Sequence, residues 1–322
     1  MEKIKKVAIL EGVFIAILLI LLASSIYEKN TKNNSVSEKS LLSPRITSGI
    51  LKPQSLLIFN FKNLEEDIRS YMSINNLNSS LYVLNIRDGA SFGIRENRRY
   101  GAASLNKLPV AIIIIKKVEM GELSLDTLLP ITDEDRNPGS GTLYANPVKE
   151  LTVRELLKYM LVESDNTAFS ILAKQTSIED GEKITEYLNY YQNNISYIES
   201  PKSLEITPKT TSNLFLSLYL STILKPEDSE MMLRYLTNTS FNIKKYAKLP
   251  DDVIVAQKYG SSYYENKKDF YSCGIMYIDD SRIFYCIMTT DLEKEKAEQV
   301  VGEIVNKIYT YVIDNRDKSP YN

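Results

Sequence analysis

Apolar and polar positions divide the chain into three unequal parts. Residues 7–27, VAILEGVFIAILLILLASSIY, are apolar except for Glu11, and Lys3, Lys5 and Lys6 precede them. Residues 28–50 are polar, poor in aromatics and without sustained periodicity, the pattern of a flexible tether. The remainder carries regular patterns. Leu64, Ile68, Tyr71 and Met72 recur at helical spacing and predict an amphipathic helix over 62–75. SLYVLNIR (80–87) and SFGIREN (91–97), joined through Asp88-Gly89-Ala90, predict a hairpin. Residues 104–119 form a continuous apolar run that suits a buried helix, and 122–150 is rich in turn residues.

Thr152 and Glu155 form a capping box, with Leu151 and Leu156 as a hydrophobic staple, so a helix starts at Thr152 and runs to about Val162. Others are expected near Asn166, over about 181–191 and after Pro208. Strand patterns then return at 252–258, 269–278 and 282–290, the last two joined through Asp279-Asp280-Ser281. A final helix over about 292–314 carries Val300, Val301, Ile304, Val305 and Ile308 on one face. Strands and helices at both ends with helices between them predict an α/β fold. An antiparallel sheet is formed by both ends of the domain and packed with helices, and a mostly helical lobe, about 104–248, is inserted. The expected organisation is an N-terminal anchor or signal segment over 1–27, a tether over 28–51 and one domain over 52–322.

The uncharged stretch Gly12–Tyr27 is shorter than the about 20 residues of a membrane span and at the upper limit of the about 7–15 of a signal-peptide core. With Glu11 near the interface, an uncleaved single span is the preferred reading, and the leading lysines keep the N-terminus in the cytoplasm. Ala23-Ser24-Ser25 also resembles a cleavage site, and cleavage would give a secreted protein. Either way the domain is expected outside the cytoplasm. There Cys273 and Cys286, on the two strands of the last hairpin, could form a disulfide; two buried thiols are the alternative.

Composition narrows the chemistry. The 39 basic and 41 acidic residues give a net charge of −2, no footprint for nucleic acid. The absence of histidine excludes Ser–His–Asp and Cys–His catalysis and His-ligated metals. Proton transfer must run on lysine, carboxylates, tyrosine or hydroxyls.

Three short motifs each occur once. Ser104-Leu105-Asn106-Lys107 stands at a predicted helix start, where residues three apart share a face. Serine needs a neighbour to take its proton, and lysine can do so when burial or a second cation lowers its pKa. The apolar run after Lys107 supplies the burial, while Pro109 would loosen the first turns. Ser164-Asp165-Asn166 falls between two predicted helices and could equally be an N-cap. Lys258-Tyr259-Gly260-Ser261 ends a predicted strand, where glycine permits close approach of a ligand; the alternative is a charged strand end and a turn.

In this order and setting, S-x-x-K, S-D-N and K-x-G resemble the motif set of class A β-lactamases and penicillin-binding proteins. The likeness covers about 62–315 and is strongest to the class A branch. It implies Ser104 as the acylated nucleophile and Lys107 as its base or relay. Ser164 would pass a proton to the leaving nitrogen and Asn166 would hold the substrate amide. Lys258 would bind carboxylate and depress the pKa of Lys107, and Gly260 would allow close approach. The N–H groups of Ser104 and Ser261 would form an oxyanion hole. No metal or organic cofactor is implied.

Two positions depart from the pattern. Tyr259 stands where the family usually has Thr or Ser. The E-x-x-L-N loop, whose Glu activates the deacylating water, is missing; Glu199 and Glu205 are candidate substitutes. The expected function is therefore a membrane-anchored serine hydrolase acting through an acyl-enzyme on β-lactams or D-Ala-D-Ala-type wall peptides. The alternative is a tethered binding or sensing module for wall fragments or β-lactams.

Overall fold

A computed structural model describes residues 60–189, 205–264 and 267–315. The apolar run 7–27, the tether, both expected boundaries and Glu199 lie outside these residues. Among the described residues, no helix is long and apolar enough to cross a membrane.

The domain is built on a five-stranded antiparallel sheet in the order β2-β1-β9-β8-β7. Helix α1 (Lys62–Ile74) leads into β1 (Ser80–Asn85) and β2 (Ser91–Ile94). The other strands, β7 (Ile254–Tyr264), β8 (Lys267–Ile278) and β9 (Ser281–Thr289), come from the far end of the chain. They are followed by α9 (Lys294–Asn315). Sheet formation by both ends is thus observed, with β1 paired along β9. The short strands β3 (Tyr100–Gly101) and β6 (Glu205–Ile206) pair with each other, as do β4 (Leu128–Pro130) and β5 (Glu150–Thr152).

Between the strands lies the helical lobe. It comprises α2 (Lys107–Glu119), α3 (Val153–Val162), α4 (Asn166–Ala173), α5 (Ile178–Leu188), α6 (Pro208–Tyr219), α7 (Pro226–Leu236) and α8 (Ile243–Tyr246). The box at Thr152 and Glu155 forms as expected, and Thr207 caps α6 with Pro208 in its first turn. Helices α7 and α8 add to those read from the sequence. Pro109 is the third residue of α2, where an N–H has no intrahelical acceptor, so it breaks nothing.

Side chains alternate across the sheet and split the core in two. Tyr271, Cys273, Ile275 and Tyr277 of β8, with Phe284, Cys286 and Met288 of β9, face the lobe. Phe270, Met276 and Ile278, with Ile283, Tyr285 and Ile287, face α1 and α9. The result is three layers. Cys273 pairs directly with Cys286 across the hairpin, and the two are joined as a disulfide.

Candidate active site

The three motifs converge where the edge strand β7 meets the lobe. Ser104 sits in a short 3-10 turn, Ala103–Asn106, leading into α2. This corrects the expectation of a regular helix from residue 104. Ala103, just before it, holds a left-handed backbone (φ 44°), a conformation that costs an L-residue about 1–2 kcal/mol. One turn on, Lys107 is only 2% exposed. Its Nζ lies 3.1 Å from Ser104 Oγ, 3.2 Å from Ser164 Oγ and 2.8 Å from Asn166 Oδ1, and also meets the Ser164 carbonyl.

Ser164 occupies the break between α3 and α4 in a left-handed conformation (φ 57°). Asp165 is the N-cap of α4. One carboxylate oxygen accepts from the Ala168 N–H at 2.8 Å, and the other accepts from the Leu143 N–H at 2.9 Å. The N-cap reading therefore holds for Asp165, while Ser164 and Asn166 meet Lys107. Asn166 donates its N–H to Ser140 O and its Nδ2 to Pro138 O, each at 3.0 Å. These bonds fix the 137–141 loop as a wall. Gly141 (φ 83°) passes so close to Asp165 that a Cβ there would lie 2.0 Å from its carboxylate.

Strand β7 continues through Lys258-Tyr259-Gly260-Ser261 to Tyr264, so these residues do not end the strand. Strand alternation puts Lys258 and Gly260 on the same side as the buried Ala256, toward the lobe. Lys258 is 0% exposed, and its Nζ donates to Ser164 Oγ at 2.7 Å and to Tyr259 O at 3.1 Å. A Cβ on Gly260 would lie 3.2 Å from Ser104 N and 3.3 Å from Ala103 Cβ. Glycine lets the strand run against the Ser104 turn. Tyr259 points the other way. Its ring packs near Phe241 and Phe270, and its hydroxyl bonds Ser240 Oγ at 2.8 Å.

Burial draws the Lys107 pKa down to about 7, partly opposed by the charge of Asp165. Burial, then the neighbouring Lys107 charge, draws Lys258 well below its ordinary value. A neutral Lys107 has two N–H donors and a lone pair, and Ser104 Oγ is within reach of that lone pair. Ser164 Oγ accepts from both lysines, which leaves its own proton available. The arrangement can take a proton from one hydroxyl and deliver one from another without histidine.

A cleft of about 610 Å³ opens over the site. Ser104, Ser164, Asn166, Tyr259 and Ser261 line it, and Gly260 lies beneath. Its wall at 240–246 and the contribution of α9, notably Tyr246 and Glu298, have no signal in the sequence motifs. Glu205, on β6, is half-exposed, and its carboxylate lies 3.3 Å from Arg99.

The sequence model of the Beta-lactamase enzyme family matches residues 63–312. Beta-lactamase VEB-1 of Pseudomonas aeruginosa is 20% identical over 278 residues, covering 78% of this chain and 91% of its own. A beta-lactamase of Phocaeicola vulgatus is 22% identical, covering 74% and 80%. Among solved structures, TLA-3 extended-spectrum beta-lactamase is similar with a TM-score of 0.71 and 21% identity, covering 79% of this chain and all of its own (100%). A mutant of PBP-A solved as an acyl-enzyme complex with penicillin G has a TM-score of 0.69 and 20% identity, covering 80% and 99%. The chain belongs to the Beta-lactamase enzyme family and is a serine hydrolase of that family.

Proposed function

We propose that this enzyme forms an acyl-ester at Ser104 with β-lactams or D-Ala-D-Ala-type wall peptides, held outside the cytoplasm by its N-terminal segment. The observation that carries the reading is the position of Lys107 Nζ, 3.1 Å from Ser104 Oγ in a site that draws its pKa to about 7. Neutral Lys107 takes the Ser104 proton as Oγ attacks the carbonyl carbon. The N–H groups of Ser104 and Ser261 stabilise the oxyanion. Ser164 then donates its proton to the departing nitrogen and is resupplied through Lys107 or Lys258. Asn166 holds the substrate amide. Lys258, buried behind Ser164, sets the positive potential felt by a substrate carboxylate.

Release of the acyl group is the slow step in this reading, because the family's E-x-x-L-N carboxylate is missing. That favours wall peptides over β-lactams as the substrates turned over, with β-lactams as long-lived adducts. Tyr259, with its ring engaged by Phe241 and Phe270, favours the second reading, a tethered sensor that is acylated and stays acylated.

Fluorescent-penicillin labelling of wild type and Ser104→Ala tests this. We predict labelling of wild type that persists for many minutes and none of Ser104→Ala. Label lost within seconds would mean that another group activates water and that β-lactams are turned over efficiently. Equal labelling of both proteins would refute the role of Ser104.

A further inference from the structure

Beyond the motif residues, the cleft is continued by a second group of side chains from α8, the end of β7 and α9: Lys245, Tyr246, Tyr263, Lys294 and Glu298. Glu298 is unusual among them. Its side chain is nearly buried, the residue being 9% exposed, yet it lines the cleft. Its one hydrogen bond is from the Tyr246 hydroxyl to Oε2 at 2.7 Å. Among the described residues no cation lies within ion-pair distance of it, although Lys294, one helical turn earlier, and Lys245 line the same cleft. A carboxylate with a single neutral donor keeps acceptor capacity that a ligand reaching it through the cleft could use. Tyr263 registers its field: burial first, then Glu298, Glu293 and Glu295, push that phenol up to about 12. Glu293 is itself paired with Lys268.

We propose that Glu298, flanked by Tyr246 and Tyr263, is a binding subsite for a cationic group on the leaving portion of the substrate. The placement rests on the proposed acyl transfer, in which Asn166 holds the acyl-side amide, so the portion beyond the scissile bond extends along this wall. Tyr246 stacks on Phe241, which leaves its other face, and Tyr263 is a second aromatic ring in the same cleft; such faces attract a cation, and the carboxylate supplies the opposite charge. Lys245 and Lys294 are exposed and their charge is screened by water. They oppose the subsite more weakly than the buried carboxylate favours it.

The test uses thiolesters that share one N-acyl-D-alanyl group and differ in the leaving thiol: thiocholine, a fixed cation, or 2-mercaptoethanol, neutral. The readout is the ratio of kcat/KM, cationic over neutral, within each variant, so a general loss of activity cancels. We expect a ratio of about 10 in wild type, the effect of one charge contact, falling to within about 2 in Glu298→Gln. Lys294→Gln should raise the ratio by removing an opposing charge. If Glu298→Gln does not fold, Tyr246→Phe, which keeps the carboxylate, should retain the cation preference. Titration with choline needs no acyl transfer and should give binding at least about fivefold tighter to wild type than to Glu298→Gln.

Equal ratios in wild type and Glu298→Gln, with no choline binding, would overturn the subsite; Ser104-dependent thiolester cleavage would leave the acyl-transfer reading intact. Choline discrimination without Ser104-dependent cleavage would sustain the subsite and refute the acyl-transfer reading.

Discussion

At the scale of single residues, the proposed chemistry turns on Lys107 and Lys258. Both are buried, and they share the Ser164 hydroxyl between them. Because Lys107 must be neutral to accept a proton, the acylation rate should rise with pH through about 7, measured by penicillin labelling across pH 5.5–8.5. A profile flat across that range would remove Lys107 as the base. The same shift has a stability consequence with a definite sign. The folded-state pKa lies below the ordinary lysine value of 10.5, so between about 7 and 10.5 the unfolded chain binds more protons. Stability from this group therefore rises with pH in that window, and the cost of burying the ammonium is greatest below it. Lys107→Met should be inactive yet gain stability relative to wild type at pH 6, with the gain shrinking toward pH 10. Ser164→Ala should slow acylation about 10²–10⁴-fold, the range for a lost proton-transfer group. The residues of this constellation were legible in the sequence because each motif occurs once. Glu298 was not legible: it lies within a helix whose pattern speaks only of core packing, and its place beside Tyr246 depends on how α8 meets α9.

At the scale of elements, register decides which motif residues meet. Residues 256, 258 and 260 of β7 share a side, so the strand that packs Ala256 against the lobe also delivers Lys258 to Ser164 and Gly260 to Ser104. The sequence suggested that this strand ended near Lys258, because Gly and Ser usually signal a turn. Gly260 has no positive φ; pairing with β8 runs on to Tyr264, and the missing side chain serves close approach instead. Gly260→Ala should therefore reduce acylation more than stability, since its Cβ would press the Ser104 N–H at 3.2 Å. Comparing labelling rate with urea midpoint checks this. Equal activity in wild type and variant would show that the strand can shift without moving Ser104. Capping boxes and turn residues made α3 and the two hairpins readable. The short helix α8 was not, because its four residues are too few to show a periodicity; an Asn242 cap and packing on α9 hold it.

At the scale of the molecule, both ends of the domain build the sheet and the inserted lobe supplies the other wall of the cleft, so the site depends on the whole domain. The sequence carried this topology in its order of helical and strand patterns. It did not decide the state of Cys273 and Cys286, which turns on a one-residue register; the observed pairing sets them opposite each other. Replacing both with Ala should lower stability by about 2–4 kcal/mol in urea unfolding under oxidising conditions. The central claim, that a histidine-free site makes Ser104 a nucleophile, is tested most directly by intact-mass and peptide-mapping mass spectrometry after exposure to benzylpenicillin. The account predicts a mass increase of one whole penicillin, located on Ser104 and missing from Ser104→Ala and Lys107→Met. An adduct on another residue, or none on a folded wild-type protein, would contradict it.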